Sequence, residues 1–195
     1  MLTTVWTFQT AIQLQALLRD GLLQGDWSYV CSKDKPAYRV MCREMAVRGV
    51  SCAERPPVWG WHSCAGYQHA PDVGVARQLL SDHQLIETPI VLLMFECPND
   101  QMLNSNYSAW CDEVYFPLLS NAEFHPLPET VLEVFEIDYT GLEHALIQTT
   151  LPSLRREWLV EASKVYLDHN HEVCIAAPWQ PIAINPTASS SLRGS

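Results

Sequence analysis

The sequence predicts one α+β domain in which a mixed or antiparallel sheet is flanked by helices. Short apolar or alternating runs recur along the chain, and well-delimited amphipathic helical stretches lie between them. A length of 195 residues supplies one core, with about 70% of the unfolded surface buried on folding. The domain is expected to occupy residues 1–176. A Pro- and Ser-rich tail is expected over 177–195, and Ser189–Ser195 reads as flexible or vector-derived sequence.

Val5–Gln9 alternates, with Trp6 and Phe8 on one side, and reads as the first strand. Thr10 opens a helix because its hydroxyl and Gln13 form a capping box. Ala11, Leu14, Leu17 and Leu18 face inward, and Gly21 ends the helix where a left-handed residue is needed. Leu22–Asp26 reads as an exit turn. Asp34 and Pro36 begin a second helix with Tyr38, Met41, Cys42 and Met45 on one side. A Glu44–Arg48 pair supports that helix and Gly49 stops it.

Val58–His62 is a strand with Trp59 and Trp61 on one face and Gly60 between them, a position where another group often approaches the backbone. Residues 64–89 read as an excursion with one helical turn near Val75–Ser81. Ile90–Phe95 is short and continuously apolar, which suits a central strand covered on both faces. Tyr107, Trp110, Cys111 and Val114 have helical spacing until Pro117 is expected to break it. Residues 121–137 fit helix or strand. Ala145–Thr150 is a strand, Pro152 to Trp158 a short helix, and Val160–Leu167 the last strand.

Composition narrows the function classes. Twelve Lys and Arg against 22 Asp and Glu give a net charge of −10, which repels phosphate backbones and anionic membrane surfaces. Non-specific nucleic-acid binding and membrane association are therefore not expected. The longest apolar run, Ile90–Phe95, falls far short of the ~20 residues of a membrane span. No signal peptide is visible, and seven irregularly spaced cysteines without a C-x-x-C suit reduced thiols, so a cytoplasmic location is expected.

Nucleotide P-loops, dinucleotide fingerprints, nucleophile elbows and H-E-x-x-H motifs are absent. Asp168–Glu172 with Cys174 is the densest run of metal-ligating types, but its place after a strand reads as a polar turn, and no metal is assigned. His62 and Cys64 are close in sequence, yet a catalytic pair needs a stabilised thiolate, and seven cysteines with seven histidines make chance neighbours. No residue is assigned a catalytic role. The aromatic set is more suggestive. Trp6, Trp59, Trp61 and Trp110 fall at or near element ends beside Gln9, Ser105 and Gln148. Flat π faces with amide side chains suit a site for a planar, nucleotide-like ring, while the alternative for the same indoles is core or partner interface. The pocket reading expects Trp6, Gln9, Trp59, Trp61 and Gln148 to converge on one cavity. The competing reading is an acidic, non-enzymatic module of the immunity, anti-defence or regulatory kind that docks a basic protein partner.

Motif order adds a resemblance. W-T-F-Q (Trp6–Gln9), L-x-x-G-L-L-x-G-D (Leu18–Asp26), Y-R-V-M-C-R-E-M (Tyr38–Met45) and P-V-W-G-W (Pro57–Trp61) come first. Pro71-Asp72, L-x-F-E-x-P (Leu93–Pro98), S-x-x-x-x-W (Ser105–Trp110) and I-Q-T-T-L-P-x-x-R-R-E-W-L-V (Ile147–Val160) follow. Together they resemble the uncharacterised bacterial domain-of-unknown-function family 3841 from Val5 to about Tyr166. Asn106 stands where that family usually has Asp, and its Ser-Trp near 121–137 is missing. In architecture the chain also looks like ADP-ribosyltransferase-type domains. A first strand ending in a polar residue, a helix closing in Gly-Leu, and a late strand followed by proline, short helix and strand carry that analogy. The residues themselves identify no cofactor; the analogy alone implies NAD. It puts Gln148 where such enzymes carry a catalytic glutamate and Gln9 near their first-strand His or Arg. A glutamine cannot serve as a general base.

Overall fold

A computed structural model describes residues 1–121 and 123–181. The chain begins with β1 (Leu2–Thr10), α1 (Ala11–Asp20), β2 (Leu22–Gln24), α2 (Lys35–Val47) and β3 (Val58–Cys64). It continues through α3 (Val73–Leu79), α4 (Asp82–Glu87), β4 (Ile90–Pro98) and β5 (Leu103–Asn106). A helical run follows as α5 (Tyr107–Trp110), a π-helical stretch (Cys111–Tyr115) and α6 (Phe116–Ser120). The last elements are α7 (Pro128–Phe135), β6 (Leu146–Leu151), β7 (Ser153–Arg155), β8 (Leu159–Leu167) and β9 (Val173–Ile175). Seven strands form one sheet in the order β5-β6-β3-β1-β4-β8-β9, each neighbouring pair antiparallel, while β2 and β7 form a separate ribbon. The α+β class holds, and the sheet is antiparallel rather than mixed.

Local chemistry sets the element ends. The Thr10–Gln13 capping box is formed, and Gly21 at φ +79 donates its N–H to the Leu17 carbonyl. Asp34 differs from expectation: its own backbone is already helical, so its carboxylate does not cap α2 and instead accepts from the Tyr115 hydroxyl at 2.9 Å. Residues 64–89 hold two helices rather than one turn, N-capped by Asp72 and Ser81. Pro117 does not break the helix. The wider π-helical turn before it places the proline in the first turn of α6, where a missing N–H costs little. The ambiguous 121–137 segment contains α7.

Three expectations fail through long-range pairing. Leu22–Gln24 is a strand because Leu22 meets Arg155 and Gln24 meets Ser153, so the expected exit turn and the expected Pro152–Trp158 helix become one ribbon. Only Arg156–Trp158 is helical there, as a single 3-10 turn. Val160–Leu167 is not last, since β9 returns along β8. Asp168 accepts the amides of Asn170 and Glu172 at 2.8 and 2.9 Å, so the His- and Asp-rich run closes that hairpin. Trp179 exchanges two backbone hydrogen bonds with Ala162, which ties the start of the expected tail to β8. Ser189–Ser195 lies outside the described residues.

Both sheet faces are covered. Leu14, Leu17 and Leu18 of α1 pack on Val5, Val91, Leu93 and Phe95. On the opposite face, α3 and α4 cover Trp6, Leu92 and Val165, while α2 and the 107–135 helices cover Trp59 and Leu103. Ile90–Phe95 is the two-face strand that its apolar run predicted, between β1 and β8. Among the described residues, no helix is long and apolar enough to cross a membrane.

One seam interrupts this sheet. β1 pairs with β4 through nine consecutive residues, but with β3 only at Trp6↔Trp61. Toward the start of β1, the Gln68 carboxamide takes the place of a strand. Its Oε1 accepts from Thr4 N, and its Nε2 donates to the carbonyls of Thr4 (3.3 Å) and His62 (2.9 Å). Toward the other end, the Thr7 hydroxyl donates to the Trp59 carbonyl at 2.7 Å, and no further ladder pair forms. Gln68→Leu strands the backbone groups that the carboxamide serves, at about 1–3 kcal/mol for each group left buried and unpaired. Urea denaturation should show that loss, with faster hydrogen exchange at the Thr4 amide; unchanged stability contradicts the plug.

Candidate functional site

Strand register decides which expected residues share a face. Ser105↔Gln148, Gln148↔Trp61, Trp61↔Trp6 and Trp6↔Met94 form one transverse row across five strands. Cross-strand partners project to the same side, and Trp59, two residues before Trp61, joins them. Gln9 is three residues from Trp6 and projects to the other side, where its Nε2 donates to Thr7 Oγ1 at 2.8 Å. The expected convergence of Trp6, Gln9, Trp59, Trp61 and Gln148 on one cavity is therefore corrected, because Gln9 lies across the sheet from Gln148. An odd separation along β1 forbids it.

Two hollows meet at the open end of the seam. The inner one, about 180 Å³, is lined by Phe8, Trp59, Trp61, Gln148, Leu79 and Leu80, with Thr7 and Gly60 at its floor. The outer one, about 650 Å³, lies toward α1 and β2 and is lined in part by Gln9, Gln13, Asp26, Tyr29 and Tyr38. Phe8 and Trp59 line both. Gln9 thus borders the outer hollow from the opposite face, away from Gln148.

The other expected residues divide into lining and support. Trp6 and Trp110 are 7% and 2% exposed and belong to the core. Trp110 backs Trp59 with ring centroids 5.8 Å apart, and Tyr38 meets Trp59 edge-on at 5.3 Å. Trp61 is held edge-on by Tyr107 at 5.1 Å. Ser105 is fully buried beside Gln148 on the next strand. Gly60 meets the close approach its position foretold, but the approaching group is β1: a Cβ there would lie 2.8 Å from the Trp6 carbonyl and 2.9 Å from Val5 Cγ1.

Polar pairing is incomplete at this place. Trp59 Nε1, Ser105 Oγ and Gln148 Nε2 are buried without hydrogen-bond partners, although Gln148 is only 3% exposed. Buried polar atoms are paired in the large majority of cases, so three orphans on one face call for a cause. Burial and the Asp34 charge raise the Tyr38 phenol above its ordinary range, opposed by the Trp59 indole N–H, which points at the phenol without reaching hydrogen-bond geometry, so Tyr38 stays protonated at neutral pH. The inner lining contains no Asp, Glu, His, Cys, Lys or Arg. It offers π faces and amide chemistry, with nothing to transfer a proton.

Cys64 is no partner for His62 in thiol chemistry. Burial, with the Asp72 charge, pushes its thiol up to about 12. All seven cysteines are unpaired. Among the described residues, no cluster of three or more His, Cys, Asp or Glu could hold a metal ion.

The comparisons with known proteins add little to this geometry. No family model matches the chain, so family 3841 gains no support from one, and no curated protein matches. A solved structure, EcPltA, is similar. It is 13% identical, with a TM-score of 0.45, over 95% of this chain and 89% of its own. That likeness is too distant to transfer a residue's role.

Sequence reasoning missed Tyr38, Leu79 and Leu80 as walls and Phe8 as the residue joining the hollows. Phe8 was within reach, since it alternates with Trp6 on one strand. Leu79 and Leu80 follow no pattern that separates a lid from a core contact.

Replacing an unpaired buried carboxamide with an apolar group of similar size removes a penalty rather than a bond. Gln148→Leu should leave the free protein unchanged or raise its stability by up to about 1–3 kcal/mol. A thermal or urea melt showing clear destabilisation instead would mean that Gln148 has a partner.

Proposed function

We propose that this chain is a small-molecule binding domain whose β1–β3 seam holds the planar ring of a nucleotide-like ligand. The Gln148 carboxamide, whose Nε2 is buried and unpaired, carries the reading. A ring edge presenting a neighbouring donor and acceptor would pair with both its ends, as glutamine pairs with adenine. The Trp59 indole N–H supplies a further donor, and Phe8, Trp59 and Trp61 supply flat walls. Size favours one ring in the inner hollow, because a cavity of about 150 Å³ holds benzene. The rest of the ligand would occupy the larger outer hollow.

NAD, the cofactor suggested by the ADP-ribosyltransferase analogy, fits this site only in part. A ring bearing an amide suits the inner hollow. A diphosphate does not suit the outer one, where no lining residue is Lys or Arg and Asp26 is the single charged residue. With glutamine in place of a carboxylate, and no titratable group in the inner lining, binding rather than transfer is the function proposed. A module that only docks a basic protein would leave the orphaned carboxamide without purpose.

Calorimetry and thermal shift with adenosine, nicotinamide riboside, adenosine monophosphate and NAD test this reading. At least one nucleoside should stabilise the protein by mass action. Gln148→Leu should weaken that ligand roughly ten- to a hundredfold while the fold persists. Affinity unaffected by Gln148→Leu, or no response to any of the four, contradicts it.

A further inference from the structure

A second cavity, unconnected with the proposed seam site by any shared lining residue, lies at the far end of β3. It measures about 260 Å³ and is framed by His62, Tyr67, Tyr139, Asn104, Asn99 and Met102. Asn104 pairs with Thr149, which pairs with Gly60, so it stands on the sheet face opposite Gln148. His62 is the extra residue of a bulge, since Trp61 meets Gln148 while Ser63 already meets Ile147. Bulges re-aim side chains and recur beside functional sites.

Hydrogen-bond accounting at the bulge assigns the imidazole tautomer. Ser63 Oγ accepts from the Gln68 amide at 2.9 Å and lies 2.7 Å from His62 Nδ1. With no other acceptor for its proton among the described residues, the Ser63 hydroxyl donates to Nδ1, which leaves the hydrogen on Nε2. Nε2 has no partner among the described residues. His62 is 4% exposed, and burial holds its pKa below the ordinary value, so the ring is neutral. Tyr67 and Tyr139 stand against it with centroids 5.5 and 5.3 Å away, and they meet each other edge-on at 5.9 Å. One end of the Asn104 carboxamide bonds the Tyr139 hydroxyl at 3.0 Å, while the other is buried and unpaired.

Backbone strain holds this frame. Ala65 and Gln68, neither of them glycine, sit at φ +52 and +54 on either side of Tyr67. Such conformations persist where the surroundings enforce them, and they cluster at functional sites. Gly66, at φ +149, takes a backbone conformation that residues with a Cβ rarely adopt, and it lets the loop bring Tyr67 against His62.

We infer that this cavity is a second binding site, for a small uncharged aromatic or amide-bearing molecule whose carbonyl accepts from His62 Nε2–H and whose edge pairs with the free end of Asn104. An anion would meet no cation in the lining, and an ammonium would face the fixed N–H of a neutral imidazole. The volume admits one ring with a small substituent.

Benzamide, benzoate and tetramethylammonium, titrated into isotopically labelled protein, separate these chemistries by NMR. Benzamide should give saturable shifts at His62, Tyr67 and Tyr139, with benzoate and tetramethylammonium at least tenfold weaker. Asn104→Leu should weaken benzamide roughly tenfold at these residues, whereas Gln148→Leu, which acts at the seam, leaves their shifts in place. Imidazole nitrogen shifts of the unmodified protein should show Nε2 protonated and Nδ1 bare at neutral pH. No saturable shift at these residues, equal binding of either charged probe, a proton on Nδ1, or loss of the shifts in Gln148→Leu overturns the inference.

Discussion

The incomplete joint between β1 and β3 governs the rest of this structure. A sheet whose neighbours pair fully has no room for a guest between its strands, because adjacent backbones lie about 4.8 Å apart. Here one ladder pair, Trp6↔Trp61, is followed by a side-chain hydroxyl and then by open space. Both Phe8 and Trp59 line that space. Gln68 makes the arrangement affordable at the other end by satisfying the backbone that a missing ladder would strand.

The same joint explains why buried amide chemistry gathers nearby. Rows that cross β5, β6 and β3 carry polar side chains at interior positions: Ser105 and Gln148 on one face, Asn104 and Thr149 on the other. Four of these carry orphaned atoms. An apolar core of the same shape would be at least as stable, so stability alone does not account for them. Unlike Phe95 or Leu93, which are fully buried among aliphatic neighbours on β4, Gln148 and Asn104 line hollows, with Ser105 and Thr149 buried beside them on the neighbouring strands.

Much of the architecture was legible because local chemistry and tertiary structure agree. The Thr10–Gln13 box, Gly21, Gly49 and the Ile90–Phe95 run each specify their element without help from afar. Elements defined by a partner were not legible. Leu22–Gln24 is a strand only because Ser153–Arg155 lies beside it, and the four residues of β5 carry too little pattern to announce themselves. At the site, alternation placed Trp59 with Trp61, but it also puts Gln9 opposite Trp6, which grouping by residue type alone ignored. Trp110 shows the complementary error: its spacing marks a helix face, and only packing against Trp59 and Phe135 shows that the face is core. The His62 bulge was invisible, since an inserted residue changes register without changing composition.

The indole N–H of Trp59 reports most directly on whether the joint is a binding site. It is buried without a hydrogen-bond partner in the free protein, on a side chain that lines both hollows. In a proton–nitrogen correlation spectrum, adding a saturating nucleoside should move that signal downfield as it gains an acceptor, together with the Gln148 side-chain amide, while the Trp6 and Trp110 indoles stay fixed. A nucleoside that binds yet leaves Trp59 and Gln148 unmoved, or a Trp59 indole already hydrogen-bonded without ligand, contradicts the account.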